Sequence, residues 1–256
     1  MKRIRTIVFT LVLVLVSSIW AGIFLNNKSS VVKAQVSNGG IVTDLNGDGK
    51  LDTIKYIVKD LNTCSLTVNG ISIVHTGFNP GKSISIIDIE KKDKLKEIIL
   101  TDNKSDNTNS SYYYFYNGLK IIFLGKVDGS NMVYYGDGTF VAEIRASILE
   151  TWYYKAKYHI NSNHKIVLIP KKLYEIGDVV TVKKSIRLQK SPTDSTTVAK
   201  LSVGEKVTIL YGDTRKWFII KTSKKVNGWL AVKDCTKIVG TNYNSWDVFD
   251  NLTFID

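Results

Sequence analysis

The chain has 256 residues, with 35 Lys and Arg against 23 Asp and Glu, a formal net charge of +12. Apolar residues make up 44% and charged residues 23%, a balance that folds rather than staying disordered. Two Cys and three His exclude a disulfide framework and a four-thiolate zinc site, while the positive excess asks for an acidic partner: nucleic acid, an anionic membrane or an anionic cell wall.

The segment 1–34 reads as export machinery. Met1-Lys2-Arg3-Ile4-Arg5 is a basic flank, Ile7 to Leu25 is 19 residues without a charge, and Val32-Lys33-Ala34 places small residues at −3 and −1 of a cut before Gln35. The apolar run also suffices to cross a bilayer, so a cleaved signal and a retained N-terminal anchor both remain open. In either case the remainder lies outside the membrane, since the positive flank stays inside. Export removes nucleic acid from the partners and leaves the membrane only the N-terminal segment. The two Cys, Cys64 and Cys235, read as lone buried thiols, with a pairing across domains as the alternative.

Beyond residue 34 the apolar period is two almost throughout, which predicts a mainly β protein. Residues 35–170 form a first unit and 171–240 a second, divided near Pro170-Lys171-Lys172, with 241–256 as a C-terminal tail. Asp44-Leu45-Asn46-Gly47-Asp48-Gly49-Lys50-Leu51-Asp52 sets oxygen side chains at positions 1, 3, 5 and 9, with the Lys50 carbonyl at 7 and a turn-permitting Gly at 6. Calcium takes six to eight oxygens from a loop that folds back on itself, so Asp44, Asn46, Asp48, Lys50 and Asp52 are a candidate structural calcium site of about 0.1–1 mM affinity. A solvated turn between strands is the alternative. Lys55 stands where an EF-hand carries its bidentate Glu, and the flanks are strand-like, which excludes that motif. A degraded second copy, from Asp88-Ile89-Glu90 to Glu97-Ile98-Ile99-Leu100, has Lys92 and Lys96 opposite Asp48 and Asp52.

Thr101 to Ser111 is a polar loop, after which Tyr112-Tyr113-Tyr114-Phe115-Tyr116 reads as a strand buried on both faces, or else a sugar platform. From Phe140 to Ile160 the apolar residues keep to even positions with only Glu150 interrupting, which predicts long strands in a hairpin bent near Glu150-Thr151. Val179–Val182, Val207–Tyr211, Trp217–Lys221 and Trp229–Val232 are short runs of the kind that build a small antiparallel barrel.

Two resemblances follow from these residues. The Asp44–Asp52 loop and its following strand resemble the calcium loop of FG-GAP/VCBS repeats, which implies propeller-type blades. At about 40–50 residues each, residues 35–170 hold under three, so an open stack or irregular sandwich is expected. Residues 171–240 resemble a bacterial SH3 domain through Ile186–Pro192, Val198–Leu201, Val203–Val207, Lys216–Lys221 and Gly228–Val232. That likeness implies recognition of cell-wall peptides or glycopeptides. The family's Asn, Arg and Gly before Pro192 are replaced here by Arg187, Gln189 and Ser191.

Residues 171–240 carry 15 Lys and Arg against 6 Asp and Glu, a surface suited to teichoic acids or peptidoglycan carboxylates. Arg187, Tyr211, Trp217 and Trp229 are the candidate ligand contacts, with the two Trp as barrel core in the competing reading. No nucleophile–base pair can be assembled from the sequence. The expectation is therefore an exported, non-catalytic protein bound to peptidoglycan or another anionic wall polymer. A wall hydrolase with an active site in residues 35–170, or a membrane-anchored adhesion or sensor protein, stands as the alternative.

Overall fold

The computed structural model describes residues 32–34, 40–103 and 109–255. The apolar run 7–25, residues 35–39 and residues 104–108 lie outside the described residues; the ends of the expected polar loop, Thr101–Asp102 and Ser110–Ser111, are strand. Val32–Ala34, the tripeptide before the expected cut, forms β1 and pairs antiparallel with Ile84–Ile86.

Three four-stranded antiparallel meanders follow in chain order. The first is β2 (Ile41–Thr43), β3 (Asp52–Asp60), β4 (Thr63–Val68) and β5 (Ile71–Thr76). Asn69 and Gly70, at φ 49° and 85°, close the β4–β5 hairpin, as two-residue hairpin turns require. The second is β6 (Pro80–Ile87), β7 (Glu97–Asp102), β8 (Ser110–Tyr116) and β9 (Ile121–Asp128). The third is β10 (Ser130–Tyr134), β11 (Thr139–Ile148), β12 (Glu150–Ile160) and β13 (Ile166–Ile169). The sheets stack face to face. Ile54, Tyr56, Leu66 and Val68 of the first meet Ile84, Ile98, Leu100, Tyr114 and Tyr116 of the second. On its other face the second sheet packs Ile99, Tyr113, Phe115 and Leu124 against Phe140, Ala142 and Tyr134 of the third. The middle sheet is covered twice, so its strands read as unbroken apolar and aromatic runs. Tyr112–Tyr116 is thus a strand buried on both faces; Tyr112 alone stays half-exposed.

In the first two meanders the loop joining the first two strands locks the meander to the next. The Leu45 amide donates to Asp52 Oδ2 (2.8 Å), and the Ile89 amide to Glu97 Oε2 (3.0 Å). The carbonyl of the same residue receives the neighbouring sheet: Lys96 N–H donates to Leu45 O and Gly138 N–H to Ile89 O, both at 2.9 Å. Leu45 and Ile89 are fully buried. The structural counterpart of Asp52 is therefore Glu97, one residue beyond the Lys96 that sequence spacing places opposite it.

The last unit is an eight-stranded curled sheet. It comprises β14 (Tyr174–Val182), β15 (Arg187–Ser191), β16 (Asp194–Lys200), β17 (Lys206–Gly212), β18 (Trp217–Lys221), β19 (Asn227–Lys233), β20 (Lys237–Ile238) and, after a single helical turn α1 (Ser245–Val248), β21 (Phe249–Asp250). Phe218, Ile220, Leu230, Val207, Ile209 and Leu188 fill it. The tail 241–256 supplies Val248 and Phe249 to this core, and β21 pairs with β14.

The third sheet also reaches into it. In the β11–β12 hairpin Ile148 pairs with Glu150, so Leu149 alone (φ 68°) makes the turn. Leu149 and Trp152 are buried among the barrel residues, and Gly212 leaves room for Trp152, whose ring would lie 2.9 Å from an added Cβ. The tail crosses the tip: Thr253 N–H donates to Glu150 Oε2 (3.0 Å), Thr151 N–H to Thr253 O (2.7 Å), and the Arg145 guanidinium to Ile255 O.

Cys64 lies in the first core, but Cys235 is exposed in a turn with Asp234, both at positive φ, and both thiols are free. The turn places its side chain in water, so the sequence reading of two buried thiols holds for Cys64 only.

Two buried carboxylates carry a pH signature. Burial pushes Glu97 up to about 8, against the pull of the Ile89 amide and with help from the Asp93 and Asp88 charges. Burial pushes Glu150 to about 7, against the Thr253 amide and with Asp178 adding. A carboxyl raised on folding binds its proton more tightly in the native state, so stability is full below the unfolded value of 4.5 and declines as pH rises through 7 to 8. Thermal melts across pH 5–9 should show this decline. Glu97→Gln should flatten it and melt several degrees above the parent at pH 9, at about 2–4 °C per kcal/mol. Glu97→Ala, which orphans the Ile89 amide, should melt lower at every pH.

Candidate functional site

The acidic loop folds on its own amides. Asp44 Oδ1 accepts from Gly47 N–H (2.7 Å) and Oδ2 from Gly49 N–H (2.9 Å). Asn46 Oδ1 accepts from Asp48 N–H, and Asp48 Oδ1 from Lys50 N–H. The upward push of burial on Asp44 is outweighed by the combined pull of the Gly49, Gly47 and Asn46 amides and the Lys96 ammonium, so its carboxyl lies below the usual carboxylate value. Asp52 is 3% exposed, and its two oxygens accept from Leu45 N–H and from Asn69 Nδ2 (2.6 Å). It holds the loop from beneath, while Asp44, Asn46, Asp48 and the Lys50 carbonyl remain on the solvent side. Among the described residues no group of three or more His, Cys, Asp or Glu side chains is gathered as a metal site. The oxygens outside the buried lock are hard donors of the calcium class, and a cation there would pin a turn.

The barrel candidates come together on one surface. Strand alternation sends Phe218 and Ile220 inward and Trp217, Ile219 and Lys221 outward. Pairing then aligns one outward row across five strands. Glu175 is opposite Tyr211, Tyr211 opposite Ile219, Ile219 opposite Trp229, and Trp229 opposite Gln189. Trp217 stands edge-on to Trp229 with ring centroids 6.3 Å apart, and Lys216 Nζ lies 5.1 Å over the Trp217 ring. Both Trp are half-buried and Tyr211 is 39% exposed, so none of the three belongs to the barrel core. Asp213 shapes the approach to Trp217: its Oδ1 accepts from the amides of Arg215, Lys216 and Trp217 at 2.7–2.9 Å. Arg187 is exposed two residues before Gln189, on the same side of β15.

Sequence reasoning selected the aromatic members of this face and missed Gln189 and Ile219. Their only signal is cross-strand register, which a single strand does not contain. An outward aromatic surface with cations at its border offers stacking area for apolar groups beside positive charge.

His159 sits within β12, and the His164 ring stacks on Phe115 with centroids 5.1 Å apart.

For the loop, the expected result is a melting temperature raised by millimolar calcium, with Asp48→Ala removing the increment. Asp52→Asn should lower the melting temperature with and without the ion, since its loss opens the lock between Leu45 and Asn69. A parent melt unmoved by calcium would exclude the ion from this loop.

Scans of this chain against protein-family models, curated proteins and solved structures return no match.

Proposed function

We propose that this chain is an exported, non-catalytic protein that binds peptidoglycan or another anionic wall polymer through the outer face of its barrel, with calcium stiffening the first loop. The observation that carries this reading is the registered row Tyr211–Ile219–Trp229–Gln189, with Trp217 beside Trp229. Aromatic rings held outward on a rigid sheet offer contact area at little entropic cost. The surrounding excess of Lys and Arg in residues 171–240 draws an anionic polymer in a salt-dependent way. The near neutrality of residues 35–170, with 15 basic and 14 acidic side chains, supports placing the polymer on the barrel, with the stack as its mount.

The test uses the chain from residue 32, which keeps β1 on the middle sheet and joins the barrel to the sheet that supplies Leu149 and Trp152 to its core. Co-sedimentation with purified sacculi should pellet the parent at low salt and release part of it at high salt. Trp217→Ala with Trp229→Ala should weaken pelleting about tenfold or more with an unchanged fold, since both rings face outward. A parent that stays in the supernatant at low salt overturns the proposal. Release of soluble muropeptides would make the protein a hydrolase instead.

A further inference from the structure

The β15–β16 hairpin contains an arrangement that the aromatic row does not explain. Arg187 pairs directly with Lys200 across the two strands, and both side chains are exposed. Like charges directly opposite each other in a sheet repel and destabilise it. The hairpin's own carboxylate gives no relief, because Asp194 is engaged by Lys190 at 3.3 Å. Glu205, which shares a surface cleft with Lys200, accepts from the Ser202 amide and from the amide and hydroxyl of Ser223. Its carboxylate is thereby engaged by its own loop and by the β18–β19 turn.

Arg187 borders a cleft of about 460 Å³ whose remaining polar lining includes Ser185, Gln189, Ser195, Thr197 and Thr241. Gln189 and Thr197 face each other across the strands and continue the row that begins at Tyr211. The cleft is therefore the hydroxyl-lined end of the aromatic surface; Arg187 is its cation, and Lys200, opposite Arg187 in register, lines a second cleft with Glu205.

We propose that Arg187 and Lys200 together seat a phosphodiester of an anionic polyol polymer, the chain continuing over Gln189 onto Trp229. This deepens the wall-binding reading and rests on it. The guanidinium fork suits an oxyanion bidentately and the ammonium adds a second charge-assisted contact. A phosphate carries its charge on oxygens that both cations can share. The Ser and Thr hydroxyls match a polyol better than the methyl groups of a peptide stem. Among the described residues neither cation has an ion-pair partner, and an anionic ligand would supply the opposing charge.

The experiment compares sacculi before and after hydrofluoric acid treatment, which removes phosphodiester-linked polymers and leaves the peptidoglycan. Three proteins are assayed: the parent, Arg187→Gln with Lys200→Gln, and Lys206→Gln with Lys233→Gln as a control that removes the same charge elsewhere on the barrel. On intact sacculi the Arg187/Lys200 variant should bind at least about tenfold more weakly than the parent, and the control should lose clearly less. On stripped sacculi the parent and the Arg187/Lys200 variant should bind alike. Without ligand, Lys200→Gln should melt above the parent, and inorganic phosphate should stabilise the parent more than this variant. Equal losses for the two double variants would overturn the seat. A difference that persists on stripped sacculi would overturn the phosphodiester and assign the anion to peptidoglycan carboxylates. Trp217→Ala with Trp229→Ala separates the two levels: if it abolishes binding while the Arg187/Lys200 variant behaves as the control, the seat fails and the wall-binding reading stands. If the parent binds neither form of sacculi, that reading fails first.

Discussion

The β11–β12 hairpin is the member on which the rest of the architecture depends. Its open end belongs to the third sheet of the stack, where Phe140 and Ala142 face the middle sheet. Its closed end carries Leu149 and Trp152 into the barrel core. One pair of strands thus supplies apolar surface to two cores, and neither core is complete without it. The tail seals the junction from outside through Thr253 and Ile255. Burying Glu150 at this tip costs desolvation energy. One oxygen of its carboxyl is met by the Thr253 amide, while Oε1 is buried with no hydrogen-bond partner among the described residues.

Within the stack the same lock is built twice from different side chains. A fully buried Leu45 or Ile89 presents its amide to a carboxylate of its own sheet and its carbonyl to the next. Asp52 and Glu97 differ by one methylene and one position, and the backbone absorbs the difference. Because the lock is made of carboxylate and amide, its buried half does not require a metal. The solvent side of the first loop retains Asp44 and Asp48, with Lys96 supplying positive charge beside Asp44.

The barrel separates its core from its aromatic outer face by strand alternation. On β18 the residues from Trp217 to Lys221 point alternately out to the aromatic face and into the core, so the aromatic surface can vary without emptying the interior. Its rigidity comes from pairing on both sides, and the border cations stand where that pairing leaves them.

Much of the architecture was legible in the sequence, for one reason above all. From Phe140 to Ile160 the inward residues hold even positions through two strands, and a one-residue turn is what preserves that parity: residue 148 opposes 150, and 140 opposes 158. Two-residue period, the repeated acidic loops and the short barrel strands likewise specified a mainly β chain with an open stack before a small barrel, because they are local patterns of side-chain direction. Long-range contact was not legible. That Glu97 rather than Lys96 answers Asp52, that residues 241–256 complete the barrel, that Asp52 faces inward, and that Arg187 meets Lys200 all depend on pairings between distant segments. Local spacing names the residues able to act; only the register of one strand against another decides which of them meet.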